Sequence, residues 1–269
     1  MNKMILHALA FEVTRNCNIR CAHCMRGEAQ NINMKRSVID DFFDKEKNNF
    51  VFSKIYDIIF TGGEPTLNPN LIIYAINKII VNEIPVKHIS MVTNGQIFVP
   101  KLVEAFNKFN VYRNLKLREE LVTGDEYERG EIAYKMYKDY NAQISFSTDR
   151  FHQPILDETR ELYKAKAIGL DIDDKELDED KMLKIGRSTI GVELEPKEIT
   201  YNSFKGPGYF DDFIEIFSHV YITAKGDINY GGDGSYDMID SNAKGKIKSL
   251  SLFNSIGEHG IIKKNWYFN

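Results

Sequence analysis

The sequence predicts an α/β protein built on a mostly parallel β-sheet. Short apolar runs that fit buried strands alternate along the chain with amphipathic segments that fit helices, which is typical of parallel βαβ units. A polar motif directly follows each of four predicted strands. Because parallel strands end at the same edge of a sheet, where α/β proteins bind their ligands, these motifs are expected to form one site.

The predicted elements follow one another in a regular order. The first strand is apolar on both alternating faces, as expected of a strand that is covered on both sides. The predicted strands are Ile5–Thr14, Ile55–Phe60, Val86–Val92 and Ala142–Ser147. Helices are predicted to begin near Ser37, after Pro69, near Phe98 and near Ile155, and the last of these ends at Gly169.

The remaining regions are less regular. Residues 113–140 are charged and rich in tyrosine, and an elaborated helical connection is expected there. The acidic run Asp171–Lys184 is predicted to form a solvent-exposed helix. Residues 220–232 are predicted to form a hairpin that turns at Lys225–Asp227. Residues 1–200 are therefore assigned to a core domain, and residues 201–269 to a C-terminal extension packed on it.

Composition and charge narrow the classes of partner. The net charge of −4 and the isoelectric point near 5.9 give no general attraction to nucleic acid or to acidic membranes, so neither is expected as a partner. The first residues lack the pattern of a secretion signal, and no apolar run approaches the roughly 20 residues that span a bilayer. A cytoplasmic location is therefore expected, where thiols stay reduced.

The three cysteines of the chain, Cys17, Cys21 and Cys24, lie within eight positions. An odd number of clustered thiols in a reducing compartment indicates a metal rather than a disulfide, and thiolates select zinc, copper(I) or iron–sulfur clusters. A structural zinc site needs four ligands, and His23 would be a strained fourth because it lies between two of the cysteines. A four-iron cluster usually takes four thiolates, so three would leave one iron open for chemistry.

The spacing C-x3-C-x2-C, with His23 at a commonly aromatic position, resembles the signature of the radical S-adenosylmethionine (radical SAM) enzymes. The resemblance implies a partial (β/α)6-type barrel with a short C-terminal extension that contains the hairpin. It implies that Cys17, Cys21 and Cys24 hold one 4Fe-4S cluster, whose open iron binds S-adenosylmethionine. In that family the reduced cluster cleaves this cofactor to a 5′-deoxyadenosyl radical that removes hydrogen from substrate. An electron donor such as flavodoxin or ferredoxin is the implied partner.

Further motifs are similar to those of the same family and occur in its order. Gly62-Gly63-Glu64-Pro65 follows the second strand, where glycines permit close backbone approach and a carboxylate accepts from an ammonium group. The resemblance implies that Glu64 and the adjacent backbone hold the amino group of S-adenosylmethionine. The other implied cofactor contacts are His23, Thr93, Asn94, Ser147 and Asp149. A plain Asn-Gly turn and a helix cap at Asp149 are the alternatives.

His152 and Arg187 are candidate catalytic residues. His152 is expected at the mouth of the site, where it faces substrate rather than a metal and serves as a donor or an acid–base group. Arg187 suits a bidentate contact with the carboxylate of the cofactor. A structural histidine and a surface arginine are the alternatives.

The C-terminal extension is similar to the SPASM or twitch domain of peptide-modifying relatives, but it contains no cysteine for an auxiliary cluster. A ribosomally made peptide or protein is therefore the expected substrate. A small metabolite or nucleotide is the alternative substrate, and a non-enzymatic zinc protein is the alternative class. The extension is expected to cover the open side of the barrel, because a carbon radical must be shielded from solvent.

Overall fold

The computed structural model describes residues 2–48, 50–123, 141–175, 182–189, 200–204, 213–244, 246 and 261–262. Its strands are Asn2–Thr14 (β1), Phe50–Gly62 (β2), Val86–Thr93 (β3), Ala142–Ser147 (β4), Asp171–Lys175 (β5), Thr200–Phe204 (β6), Phe213–Ile216 (β7), Val220–Ile222 (β8), Ile228–Tyr230 (β9) and Ile261–Ile262 (β10). Its helices are Arg36–Phe43 (α1), Lys45–Asn48 (α2), Pro69–Val81 (α3), Pro100–Thr123 (α4), Asp157–Lys166 (α5) and Tyr236–Ser241 (α6), with a 3-10 turn at Pro65–Leu67.

The described strands form one sheet in the order β10-β6-β7-β1-β2-β3-β4-β5, and the hairpin β8–β9 joins β1 beside β7. Neighbours from β1 to β5 are parallel. Among the described residues no pairing joins β5 to β10, so the sheet stays open. The predicted α/β class is therefore confirmed, and the open sheet is consistent with a partial barrel.

The main core lies between the sheet and the helices that connect its strands. β1 contributes side chains from both of its faces, and Met4, Leu6, Leu9, Phe11 and Val13 are all fully buried. Buried residues of α3 and α4, among them Ile76 and Phe106, pack into the same cluster. The prediction of a first strand covered on both sides is confirmed, and this packing fixes the position of the loop that follows β1.

The predicted acidic helix over Asp171–Lys184 is wrong where the structure describes it. Asp171–Lys175 instead forms β5, which pairs in parallel with β4. The acidic side chains find partners on the sheet, because Gln143 donates hydrogen bonds to both Asp171 and Asp173 and Arg160 pairs with Asp174. Residues 176–181 lie outside the described residues. Of the connection expected over residues 113–140, the part up to Thr123 is helical.

The C-terminal extension continues the sheet of the core. β7 and β8 each pair in parallel with β1, and β8 and β9 form the predicted antiparallel hairpin around Lys225–Asp227. The sheet thus runs across residue 200, and the division into two domains at that point stays a prediction. Within the ranges that the structure describes, no helix is both long and apolar enough to cross a membrane.

Candidate active site

A cavity of 410 Å³ lies at the carboxyl ends of β1 to β4. Four segments that follow these strands meet there, as expected of a parallel sheet. The cavity is lined by most of the predicted site residues, namely Cys17, Cys21, His23, Cys24, Gly62, Gly63, Glu64, Pro65, Thr93, Asn94, Ser147, His152 and Arg187. Asp149 contacts two of them, His23 and His152.

The cysteine loop leaves the end of β1 and places its thiols at the cavity. Cys17, Cys21 and Cys24 are free and half-buried. Burial raises the pKa of Cys21 to about 11, and the negative charges of Cys24 and Cys17 raise it further. Burial also raises the pKa of Cys17, to which Glu64 and Cys24 add. The thiols are therefore close enough to repel one another as thiolates, and a bound cation would relieve that repulsion.

Arg187 holds the cysteine loop through hydrogen bonds to its backbone carbonyls. Its Nε donates to the carbonyl of Cys21 at 3.0 Å, and its Nη1 donates to the carbonyl of Gly27. Its backbone N–H donates to the carbonyl of Cys24 at 2.9 Å. The guanidinium is thus engaged with the backbone of the loop, a role that the sequence did not predict. Its contact with the cofactor's carboxylate stays a prediction.

The glycines after β2 allow the chain to approach the stem of the cysteine loop. The N–H of Gly63 donates to the carbonyl of Thr14 at 2.8 Å, and the N–H of Glu64 donates to the carbonyl of Asn16 at 2.7 Å. A Cβ at Gly62 would lie 2.1 Å from the carbonyl oxygen of Thr14, and one at Gly63 would lie 2.2 Å from that of Asn16. Glycine is therefore required at both positions for steric reasons.

The carboxylate of Glu64 is buried and joins the ends of β2 and β3. Oε1 accepts from the backbone N–H and the hydroxyl of Thr66 at 3.0 and 2.6 Å, and from the hydroxyl of Thr93 at 2.7 Å. Oε2 accepts from the backbone N–H of Asn94 at 2.8 Å. Burial raises the pKa of the carboxyl, against the effect of these donors. The first role of Glu64 is thus to hold two strand ends together, and its contact with an ammonium group stays a prediction.

The segment after β4 brings a second group of polar side chains to the cavity wall. Asp149 Oδ2 lies 2.9 Å from Nδ1 of His152 and 3.7 Å from Nε2 of His23. The two imidazole rings meet edge to face, with centroids 4.6 Å apart. Burial lowers the pKa of His23, against the charge of Asp149. The side chain of His23 thus contacts the segment that follows β4.

Several residues at the cavity were missed in the sequence. Met182, Arg26, Asp233 and Tyr236 also line it, and the last two belong to the C-terminal extension. Arg26 binds that extension, because its Nη1 donates to the carbonyl of Gly234 at 3.0 Å. No local pattern marks Asp233 and Tyr236, since they reach the cavity through the pairing of β8 with β1.

The family model of the radical SAM superfamily matches residues 11–116, which include the cysteine loop and the segments after β2 and β3. Over this stretch the three cysteines have the spacing of the superfamily. The chain thus contains a radical SAM superfamily domain over residues 11–116. This domain and the cysteine spacing support an enzymatic activity, and the match leaves the reaction open.

Solved structures of anSMEcpe share the fold. Native anSMEcpe with bound AdoMet and Kp18Cys peptide aligns with a TM-score of 0.53 and 11% identity, covering 94% of this chain and 80% of that chain. Native anSMEcpe with bound AdoMet gives 0.50 and 11% over the same shares. Streptococcus suis SuiB bound to S-adenosylmethionine gives 0.33 and 12%, covering 83% and 60%. No protein of curated function matches the chain.

The radical SAM superfamily implies an iron–sulfur cluster and S-adenosylmethionine, and the residues present fit both. Three free thiols face one cavity, and soft thiolate ligands suit iron–sulfur clusters. The imidazole of His23 contacts Asp149 and His152 instead, so the zinc alternative lacks its expected fourth ligand. The cavity of 410 Å³ falls in the usual range of small-molecule sites.

Proposed function

We propose that this radical SAM enzyme binds one 4Fe-4S cluster through Cys17, Cys21 and Cys24 and modifies a ribosomally made peptide or protein. One observation carries the proposal: the three thiols line the same cavity as the segments that follow β2, β3 and β4. A cluster held by three thiolates keeps one iron open. The open iron would take S-adenosylmethionine, and the segments after β2, β3 and β4 would hold the rest of the cofactor.

When bound, the cluster and S-adenosylmethionine supply reductive cleavage of the cofactor and a 5′-deoxyadenosyl radical. The protein itself contributes position and exclusion of water. Arg187 holds the cysteine loop by its carbonyls, and Glu64 fixes the strand end where the amino group is bound. Ser147 and Asn94 also line the cavity, where they would hold the ribose or the carboxylate of the cofactor.

A peptide substrate is supported by the shared fold. The solved structure of anSMEcpe that aligns over 94% of this chain holds AdoMet together with a Kp18Cys peptide. The C-terminal extension adds Asp233 and Tyr236 to the cavity wall, so it shapes the entrance through which a substrate reaches the radical. An electron donor such as flavodoxin or ferredoxin completes the proposed system.

The first test is anaerobic reconstitution with iron and sulfide. About four irons per chain are expected, together with the electron paramagnetic resonance signal of a reduced cubane cluster and formation of 5′-deoxyadenosine. The Cys21→Ala protein should keep its far-UV circular dichroism spectrum and lose 5′-deoxyadenosine formation. Stoichiometric zinc in place of iron, or undiminished cleavage by Cys21→Ala, contradicts the proposal.

The second test addresses the substrate. Short reading frames beside the gene supply candidate peptides, and each is incubated with the reconstituted enzyme, S-adenosylmethionine and a reductant. A mass change in one peptide, coupled to 5′-deoxyadenosine in equal amount, supports the peptide assignment. Coupled turnover of a small metabolite, with every candidate peptide unchanged, favours the alternative substrate class.

A further inference from the structure

Two histidines and one aspartate meet at the cavity wall. The ligand atoms of His23, Asp149 and His152 all lie within 4.8 Å of one another. His23 comes from the cysteine loop, whereas Asp149 and His152 come from the segment after β4. The fold therefore brings together three groups of the type that bind divalent transition metals.

The separations suit ligands of a single ion. Asp149 Oδ2 lies 2.9 Å from His152 Nδ1 and 3.7 Å from His23 Nε2. Ligand atoms bound to one tetrahedral ion at about 2.1 Å lie about 3.4 Å apart, and the observed separations fall on either side of that value. The side chains of His23 and Asp149 are each 8% exposed, and that of His152 is 16% exposed.

Hydrogen bonding leaves this group incomplete. Nδ1 of His23 and Nδ1 of His152 are both buried and have no hydrogen-bond partner among the described residues. For His152 this holds although Asp149 Oδ2 is 2.9 Å away, so the carboxylate lies off the direction of the ring N–H. Buried polar atoms normally have a partner. An ion bound by Asp149 Oδ2, His23 Nε2 and His152 Nδ1 gives Nδ1 of His152 a partner.

We propose that His23, Asp149 and His152 bind one divalent transition-metal ion at a site separate from the iron–sulfur cluster. Two imidazoles and one carboxylate suit zinc, iron(II), cobalt(II) or nickel(II). Three protein ligands leave positions for water or substrate, as in catalytic metal sites. Since His23 and His152 line the cavity, the ion lies at its wall, where it binds a carbonyl or carboxylate oxygen of the substrate.

The test uses cobalt(II) with the reconstituted enzyme, so that the cysteines are already engaged. One cobalt per chain is expected, with ligand-field absorption typical of nitrogen and oxygen ligands and without a thiolate charge-transfer band. Asp149→Asn and His152→Gln should each weaken cobalt binding at least about tenfold, because ligand environments contribute that much or more to metal affinity. Iron content should stay unchanged in both variants, which separates this site from the cluster.

His88→Gln is the matched control, because His88 also faces a carboxylate, that of Asp57, at 2.8 Å on the β2–β3 pair. Its cobalt affinity should equal that of the unaltered enzyme. The proposal is overturned if the reconstituted enzyme binds no cobalt, if both site variants bind it as tightly as the control, or if bound cobalt displaces iron and shows thiolate ligation. None of these outcomes depends on substrate turnover, so the proposed function is tested independently.

Discussion

Arg15 and Asp240 form a two-point ion pair across 225 residues of the chain. Nη1 donates to Oδ2 at 3.0 Å and Nη2 donates to Oδ1 at 2.7 Å, while Nε of the same guanidinium donates to Glu12 at 2.9 Å. The side chain of Arg15 is fully buried and lies over the ring of Tyr236 at 4.6 Å. Because Arg15 comes two residues before Cys17, the C-terminal extension holds the stem of the cysteine loop.

Asp240→Asn should lower the free energy of unfolding by about 3 kcal/mol, because it leaves the buried guanidinium of Arg15 with less compensation. Urea denaturation of both proteins at equal metal content measures the difference. Asp237→Asn, at an exposed position of the same helix, is the control and should cost less than about 1 kcal/mol. Equal losses from the two substitutions would show that the ion pair contributes nothing specific.

The contribution of Asp240 should disappear in acid. Burial opposes ionisation, but hydrogen bonds from Arg15 and Lys225 outweigh it and lower the pKa of the carboxyl below its ordinary value. A depressed folded-state pKa gives stability that is fully present above the unfolded value of about 3.9 and is lost as the pH falls through the folded value. The stability difference between the unaltered protein and Asp240→Asn should therefore be constant at neutral pH and shrink below about pH 4. A difference that grows on acidification contradicts this assignment.

Gly63→Ala should displace the cysteine loop. The new Cβ would lie 2.2 Å from the carbonyl oxygen of Asn16 and 3.1 Å from the backbone carbon of Arg15, and backbone atoms cannot yield as a side chain does. We expect a loss of about 1–3 kcal/mol in stability, together with less iron bound per chain after reconstitution. Gly231→Ala meets no atom within 4 Å at φ +91°, so it should cost only backbone strain of about 1–2 kcal/mol and keep its iron.

Glu64→Ala should reduce both stability and cofactor affinity. It removes the acceptor of four buried donors on Thr66, Thr93 and Asn94, and each donor left unsatisfied costs about 1–3 kcal/mol. Thr93→Val removes one of these hydrogen bonds and should cost about 1 kcal/mol. Thermal unfolding and calorimetric titration with S-adenosylmethionine measure the two effects. A Glu64→Ala protein that melts at the unaltered temperature would show that the strand ends are held by other contacts.

The parallel sheet and the convergence of its motifs were predictable because their signals are local. Adjacent residues alone define an apolar run such as Ile55–Phe60 and the polar motif that follows it. Because parallel strands share one direction, the motifs that follow them lie at the same edge of the sheet. The acidic β5 was not predictable from its own residues. Its carboxylates accept hydrogen bonds from Gln143 and pair with Arg160. Both partners are near β5 only in the folded protein.

The roles of the site residues were less predictable than their positions. Glu64 and Arg187 were expected to face the cofactor, and both line the cavity. Their polar atoms, however, contact strand ends and loop carbonyls. A motif shows that a carboxylate or a guanidinium is needed at a position, but the surrounding backbone decides which atoms it satisfies. The approach of His23 to Asp149 and His152 likewise depends on the pairing of strands distant in sequence, since β1 and β4 are joined through β2 and β3.

The position of β1 in the sheet has a consequence for biosynthesis. One edge of this strand pairs with β2, which is made soon afterwards, and the other pairs with β7 and β8, which follow much later in the chain. At translation speeds of about 5–20 residues per second, that second edge stays unpaired for roughly 10–40 seconds on the ribosome. An open, apolar strand edge is a template for aggregation. Until β7 and β8 are made, this edge of β1 is therefore exposed to non-native pairing, and the stem of the cysteine loop lacks its contact with Asp240.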